Sequence, residues 1–201
     1  AAAVGGGLSL EFSFPWLAGA AMDTSVNEVN AWVVIYPDDR VVVRIARSEM
    51  GQGTFTALAQ LVAEELDCDW ARVSSEFASP NEHIRRKRIW GSMSTGGSQG
   101  VRSSQDYVRK AGAAARIMLT NAAAARWNVP LTECHAERGI VTHGPSQRRL
   151  RYGELAGEAA KLDAPTEITL RDPKDWKIAG QPVRRFDIPD KVTGKPVFAV
   201  D

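Results

Sequence analysis

The sequence has little cysteine and little histidine, the residues that most often build metal sites. Its 201 residues include two cysteines and three histidines. Cys68 and Cys134 lie too far apart in sequence to form a CxxC pair, so a zinc site made by the protein itself is not expected. A chain of this length can bury a sufficient core without disulfides. We therefore predict neither metal ligands nor a need for a disulfide.

The sequence also lacks an excess of either charge. Lys and Arg total 25 against 24 for Asp and Glu, a formal net charge of +1. This balance excludes a strongly basic nucleic-acid binder and an acidic disordered tail. The one compact basic run, RRKR at 85–88, could contact nucleic acid or an acidic partner, but in a near-neutral chain it favours a solvated loop. We expect no nucleic-acid partner.

A long uninterrupted apolar run is missing as well. Residues 1–22 are mostly small and apolar with one charge, Glu11, but several glycines and Pro15 interrupt them. They are too short and broken to span a bilayer as a helix. The small residues at 17–21 are typical of the end of an export signal, and the alternative is a loop that covers an apolar patch. We predict that residues 1–29 are a signal-peptide remnant and lead-in.

From residue 30 the pattern becomes that of a folded domain. Two β-branched runs, 31–36 and 40–46, flank a Pro-Asp-Asp turn and predict a hairpin. Apolar residues at helical spacing predict a helix over 54–66, with Glu64 and Glu65 on its solvated side.

The remaining elements of the predicted domain mix strands and helices. They are a strand at 72–78, an Ala-rich helix at 102–127, strands at 134–136, 140–143 and 149–152, and a short helix at 154–162. Hairpins outnumber βαβ crossovers in this order, which predicts an α+β domain over 30–162 with an antiparallel-rich sheet and helices packed on one face.

Prolines mark a change of composition after residue 162. Pro165, Pro173, Pro182 and Pro189 interrupt any helical pattern. We predict that residues 163–201 form an extended tail that lies on a surface and has little core of its own, a linker that leads into the start of a following domain.

Two glycine clusters are the candidate sites. Residues 48–54 (SEMGQGT) link a predicted strand to a helix, and residues 92–100 (SMSTGGSQG) precede the long helix. Glycines there let backbone N–H groups converge on an anion near a helix start. Each cluster alone is equally typical of a tight turn or a flexible loop. Together they favour an extended phosphate-bearing ligand, although neither matches the Walker pattern or a complete GxGxxG.

Six short motifs follow one another along the chain. They are Ser48–Gly53, Thr56–Leu58, Ala63–Leu66, Thr95–Ser98, Asp172–Asp175 and Lys191–Gly194. In this order they resemble the molybdopterin-binding large subunit of xanthine oxidase-type molybdenum hydroxylases, above all the isoquinoline 1-oxidoreductase β-subunits and related exported aldehyde dehydrogenases. The resemblance covers nearly the whole chain, and the ordered set is more specific than any single motif.

The resemblance implies roles for eight residues in binding a molybdopterin cytosine dinucleotide. It implies that the Gln52 amide, which both donates and accepts, hydrogen-bonds the pterin. It also implies that the backbone or hydroxyl groups of Gly51, Gly53, Thr54, Thr95, Gly96, Gly97 and Ser98 contact the cofactor. Relatives commonly continue with further hydroxyls after Ser98, whereas this chain has Gln99 and Gly100. The family's catalytic glutamate belongs to a later Gly-rich motif that is absent from this sequence, so we assign no catalytic residue.

The resemblance further implies a reaction, partners and a location. Such enzymes hydroxylate a carbon next to a ring nitrogen, or oxidise an aldehyde, with a water-derived oxygen. Electrons leave through a small [2Fe-2S] subunit, with a cytochrome c as acceptor, in the periplasm after twin-arginine export. The 201 residues would be one part of the large subunit, inactive without its remainder and without tightly bound cofactor of their own. The alternative is a non-catalytic module that binds a partner protein or a nucleotide-like ligand.

Isolated residues complete the sequence-based expectations. His83, His135 and His143 have no neighbouring ligand pattern and are expected at the surface. Cys68 is expected to be a buried small hydrophobe.

Overall fold

The β-branched runs form the first of two sheets. In the computed structural model, which describes residues 27–196, four strands pair in the order β1 (Asn27–Asn30), β2 (Val33–Ile35), β3 (Val41–Ile45) and β4 (Val73–Phe77). The pairs β1–β2 and β2–β3 are antiparallel, with Val34 opposite Val42. The hairpin predicted from the two runs is therefore confirmed.

One crossover interrupts the antiparallel pattern of this sheet. Helix α1 (Thr54–Leu66) follows β3 and returns the chain across the sheet, so β4 pairs parallel to β3 with Val43 opposite Ser75. A parallel neighbour requires such a connection, whereas a hairpin turn gives an antiparallel one. The bounds predicted for the helix are confirmed.

Three helices follow β4, and the last of them packs closely on α1. They are α2 (Pro80–Arg85), α3 (Gln99–Arg102) and α4 (Gln105–Trp127). A Cβ at Gly112 of α4 would lie 2.5 Å from the carbonyl oxygen of Val62 on α1. The close approach of the two helices therefore requires glycine at this position. The long helix begins three residues later than predicted, because a turn separates it from α3.

A second sheet completes the domain. Strands β5 (Cys134–Glu137), β6 (Ile140–His143) and β7 (Arg149–Arg151) form an antiparallel meander, and helix α5 (Tyr152–Ala159) follows. Tyr152 is buried, and its hydroxyl donates to the Leu66 carbonyl oxygen at 2.8 Å. This bond ties the second sheet to the end of α1. The α+β class with antiparallel-rich sheets is confirmed.

The expectation that Glu64 and Glu65 face solvent is wrong. Their side chains are 1% and 0% exposed. Glu65 forms an ion pair of 2.7 Å with Arg109 of α4, and Glu64 forms one of 3.4 Å with Arg171. Buried carboxylates need such partners. The helical pattern did not reveal them, because they come from distant parts of the sequence.

The tail follows an extended path, with a short helix α6 (Ile188–Val192) near its end. The tail lies against α1, and polar contacts attach it there. Glu64 Oε2 accepts the backbone N–H groups of residues 177, 178 and 179 at 2.9, 2.5 and 3.0 Å. Arg171 forms an ion pair with Asp67 as well as with Glu64. Prolines prevent a long helix here, but an extended backbone leaves N–H groups that need acceptors, and α1 supplies them.

Two of the three histidines are buried, so the expectation of surface histidines is wrong for them. His83 is 8% exposed and its Nδ1 accepts the Trp90 backbone N–H at 3.3 Å. His143 is 4% exposed and its Nε2 lies 2.7 Å from a carboxylate oxygen of Glu133. Cys68 is buried as expected, and burial raises the pKa of its thiol.

The basic run comprises the last residue of α2 and the turn that follows it. Three of its four side chains are exposed. The fourth, Arg86, forms an ion pair of 2.6 Å with Glu28 and lies over the Trp90 ring. The solvated loop expected from the sequence is confirmed for the three exposed side chains.

Within residues 27–196, no helix is both long and apolar enough to cross a membrane. In the same range, no three His, Cys, Asp or Glu side chains are grouped so as to hold a metal ion. The predicted signal remnant falls almost entirely on residues 1–26, outside the described residues. Residues 197–201, where the start of a following domain is expected, also lie outside them.

Candidate functional site

The first glycine cluster forms the connection between β3 and α1, which we call the first loop (residues 46–53). Gly51 has φ of 103° and Gly53 has φ of 86°, the left-handed region that favours glycine. A Cβ at either position would meet no atom within 4 Å. The cluster precedes a helix as predicted, and space beside both glycines is open.

Glu49 occupies the N-terminus of α1. Its carboxylate accepts the backbone N–H groups of Gly51, Gly53 and Phe55 at 2.7, 2.9 and 3.0 Å. Burial alone would raise the pKa of this carboxyl, but these bonds and the charge of Arg185 lower it below its ordinary value. The expectation that these N–H groups await an external anion is therefore corrected, because the chain supplies its own carboxylate.

The Gln52 side chain folds back on its own loop. Its Nε2 donates to the Ser48 carbonyl oxygen at 2.8 Å, and its Oε1 accepts the Met50 N–H at 2.5 Å. A primary amide has two donors and can accept twice. One donor and one acceptor position thus remain on the exposed Gln52 amide.

The second glycine cluster forms what we call the second loop (residues 91–98). It leads into α3, a single turn, and not directly into the long helix as predicted. Gly96, Gly97 and Ser98 are exposed, and a Cβ at Gly96 would meet no atom within 4 Å. This loop therefore presents bare backbone on its surface.

The two loops lie side by side. The Ser48 backbone N–H donates to the Thr95 hydroxyl at 2.8 Å. Arg47 is 7% exposed and reaches across from the first loop to the Ser94 carbonyl oxygen and, at 3.0 Å, to the Ser104 hydroxyl. The structure thus brings together the two segments that the sequence singled out separately.

Thr54 belongs to the contact between α1 and α3. It is 2% exposed, and a Cβ on Gly100 would lie 2.8 Å from its hydroxyl oxygen. Its hydroxyl therefore lies against α3 and not on the open surface of the loops. The predicted cofactor contact of Thr54 stays a prediction, as do those of the other seven residues.

A small cavity of about 180 Å³ adjoins both loops. It is lined by Ile45, Ala46, Arg47, Ser48, Phe77, Ala78, Pro80 and Met93. The cavity lies where the parallel strands β3 and β4 end, the position at which α/β sheets commonly bind ligands. The sequence pattern does not indicate this cavity, because it does not show that these strands are parallel.

A larger cavity of about 450 Å³ lies elsewhere, between the end of α1 and the second sheet. Its lining includes Asp69, Arg72, Arg138, Arg149 and Tyr152, and none of the eight predicted site residues. Charges of both signs line it. Its size alone does not make it the functional site, because the paired loops lie outside it.

Two residues that contact the first loop were not predicted from the sequence. Glu49 stands just before the glycines, and an acidic residue before a helix is a recognisable capping signal. Arg185 donates to the Gly51 carbonyl oxygen at 2.7 Å from 134 positions away. No local pattern could indicate that contact.

The fold and the paired glycine loops together are those of an α+β binding domain. Residues 5–195 match the family described as molybdopterin cofactor-binding domain. This match covers nearly all of the sequence, so the chain belongs to that family. The family resemblance drawn from the six motifs is confirmed.

Two curated relatives are similar to almost the whole chain. Isoquinoline 1-oxidoreductase subunit beta of Brevundimonas diminuta is 29% identical over 237 residues, which cover 98% of this chain and 30% of the relative. Membrane-bound aldehyde dehydrogenase (pyrroloquinoline-quinone) of Gluconacetobacter polyoxogenes is 30% identical over 180 residues, covering 87% and 22%. The chain thus spans less than a third of the length of either relative.

A solved structure also overlaps in part with this chain. Quinoline 2-oxidoreductase from Pseudomonas putida 86 aligns with 68% of this chain and 17% of its own, at 18% sequence identity and a TM-score of 0.46. An overlap of this extent adds nothing to the family assignment.

Proposed function

We propose that this chain forms one wall of the site for a molybdopterin cytosine dinucleotide in a molybdenum hydroxylase. The substrate class would be an N-heteroaromatic compound or an aldehyde. When bound, the cofactor supplies the redox chemistry that transfers a water-derived oxygen to the substrate. The family assignment and the activities that the two relatives are named for support the proposal.

The single observation that carries the proposal is the adjacency of the two loops. The Ser48–Thr95 hydrogen bond of 2.8 Å holds them together, and open space borders Gly51, Gly53 and Gly96. A ligand with flat rings and phosphates can approach the backbone closely at a glycine, because no side chain stands in the way. The residues present therefore fit part of such a cofactor.

The chain's own residues would bind and orient the group. The Gln52 amide has a donor and an acceptor position left after its two contacts within the loop, which suits the edge of a pterin. The second loop, Thr95 to Ser98, would supply backbone and hydroxyl donors to the phosphates. Glu49 already occupies the start of α1, so we place the phosphates at the second loop and not at that helix.

The proposal includes partners and a location. A complete dinucleotide site encloses most of its ligand, so we propose that the remainder of a large subunit supplies the other walls. We further propose a small [2Fe-2S] subunit and a cytochrome c as the electron path, and twin-arginine export to the periplasm. The name of the Brevundimonas relative, a subunit beta, supports assembly with another chain.

The first test is Gln52→Ala in the complete protein, purified from cells that make the cofactor. We expect lower molybdenum and pterin content with an unchanged melting temperature, because the side chain is exposed and opens no core cavity. Gln181→Ala, which removes an exposed amide from the tail, is the control. Full molybdenum and pterin content in Gln52→Ala would show that the first loop is only a turn.

A second test uses the open space at Gly96. A Cβ there meets nothing within 4 Å and the residue has no left-handed φ, so Gly96→Ala should fold with wild-type stability. If the cofactor approaches this backbone, the added methyl group should lower pterin content. Gly144→Ala, where a Cβ would lie at an ordinary 3.6 Å from its nearest atom, is the matched control in the turn between β6 and β7. Equal pterin content in both variants would show that the second loop does not contact the cofactor.

A further inference from the structure

The tail lies along α1 and is attached near both ends of that helix. Near the C-terminal end, Arg171 forms ion pairs with Glu64 and Asp67. Near the N-terminal end, the Phe186 backbone N–H donates to the Thr56 hydroxyl at 3.0 Å. Residues 171–186 thus follow α1 back toward the first loop.

At the first loop, the Arg185 guanidinium contacts three acceptor groups at once. It donates to the Gly51 carbonyl oxygen at 2.7 Å, to Glu49 Oε1 at 3.2 Å and to Asp187 Oδ2 at 2.6 Å. A planar guanidinium can make such a set of bonds in fixed directions, whereas an ammonium is a single point of charge. Arg185 therefore fixes the relative positions of these groups.

Two of those acceptor groups, Glu49 and the Gly51 carbonyl, belong to the first loop. The Glu49 side chain is 5% exposed, and a buried carboxylate is strongly favoured by a cationic partner. The Gly51 carbonyl belongs to the peptide that joins Gly51 to Gln52, and a glycine with open space around it has no side chain to restrict that peptide. Arg185 supplies the restriction from outside the loop.

We propose that Arg185 is a positioning residue, which holds the first loop in the conformation that presents Gln52. The inference rests on the proposed function of that loop. Arg185 acts through Glu49 and the Gly51 carbonyl and need not touch the ligand. The tail would then be a part of the binding site and not only a linker.

The test is amide hydrogen exchange in the complete protein prepared without cofactor, compared among three variants. In Arg185→Ala we expect the amides of Gly51, Gly53 and Phe55 to exchange about tenfold faster or more, the effect of losing a charge-assisted bond. Arg185→Lys should restore part of the protection through charge alone. Arg184→Ala removes an exposed neighbouring arginine that forms no hydrogen bond or ion pair within residues 27–196, and should change nothing.

Three results of the exchange measurements alone would overturn the inference. Unchanged exchange in Arg185→Ala would show that the first loop keeps its conformation without Arg185. Equally faster exchange at residues 177–179 would show that the whole tail has detached. Glu49→Gln keeps the shape of the cap without its charge, so unchanged exchange of the same loop amides in that variant would count against the inference even if Arg185→Ala did not fold.

Pterin content separates this inference from the proposed function. If the loop is a cofactor contact and Arg185 positions it, Arg185→Ala should lose pterin and Arg185→Lys should regain part of it. Faster exchange with full pterin in Arg185→Ala, while Gln52→Ala loses pterin, would overturn the role of Arg185 alone. Full pterin in Gln52→Ala would instead count against the proposed function.

Discussion

Replacing Glu64 with alanine should cost this domain much of its stability. The Glu64 carboxylate is 1% exposed and accepts three backbone N–H groups of the tail, besides its ion pair with Arg171. Alanine would leave all four donors without this acceptor. Breaking a buried charged pair costs about 3–5 kcal/mol. Water can reach part of the tail, so we expect a loss within that range and not the sum of the separate bonds.

The assay is urea denaturation followed by circular dichroism and tryptophan fluorescence. Glu158→Ala is the matched control, because it removes another glutamate–arginine pair, with Arg126, whose side chains are 48% and 33% exposed. Such an exposed pair contributes about 1 kcal/mol or less. If Glu64→Ala lost no more stability than Glu158→Ala, the buried network would not be what holds the tail.

Two further predictions concern close packing and pH. Gly112→Ala should destabilise the protein by about 1–3 kcal/mol, because the new Cβ would lie 2.5 Å from the Val62 carbonyl oxygen; a melting temperature equal to that of Gly144→Ala would contradict this. The folded-state pKa of Glu49 lies below its ordinary value, so its stabilising effect is full above an unfolded pKa of about 4.3 and is lost as pH falls toward the folded value. Wild type should therefore lose stability between about pH 5 and 3 more steeply than Glu49→Gln, and equal slopes would contradict it.

Local pattern was enough to predict most of the secondary structure. The hairpin of β2 and β3 and the bounds of α1 follow from β-branched runs, a turn and helical spacing. These signals depend on near neighbours, which the sequence shows directly. The two glycine clusters were found in the same way, since each stands between recognisable elements.

Long-range partners were beyond such reasoning. Glu64 is a polar residue on a helix, and its burial is explained by partners such as Arg171, 107 positions later. Likewise no neighbour of Arg185 indicates its bond to Gly51. Predicting the small cavity would have required the parallel pairing of β3 and β4. A succession of strand and helix patterns does not determine that pairing. Contacts of this kind are set by packing and not by local propensity.

The contact between Gly51 and Arg185 closes a separation of 134 residues, which has a consequence for biosynthesis. Polypeptides are made from the N-terminus at about 5–20 residues per second, so the first loop leaves the ribosome several seconds before its arginine. Contacts of such long sequence separation form late in folding. Until then the only partners of the Glu49 carboxylate among those described above are the backbone N–H groups of its own loop and of α1. A nascent chain therefore carries an unfinished first loop, and under the proposed function a cofactor would bind that loop only after translation has passed residue 185.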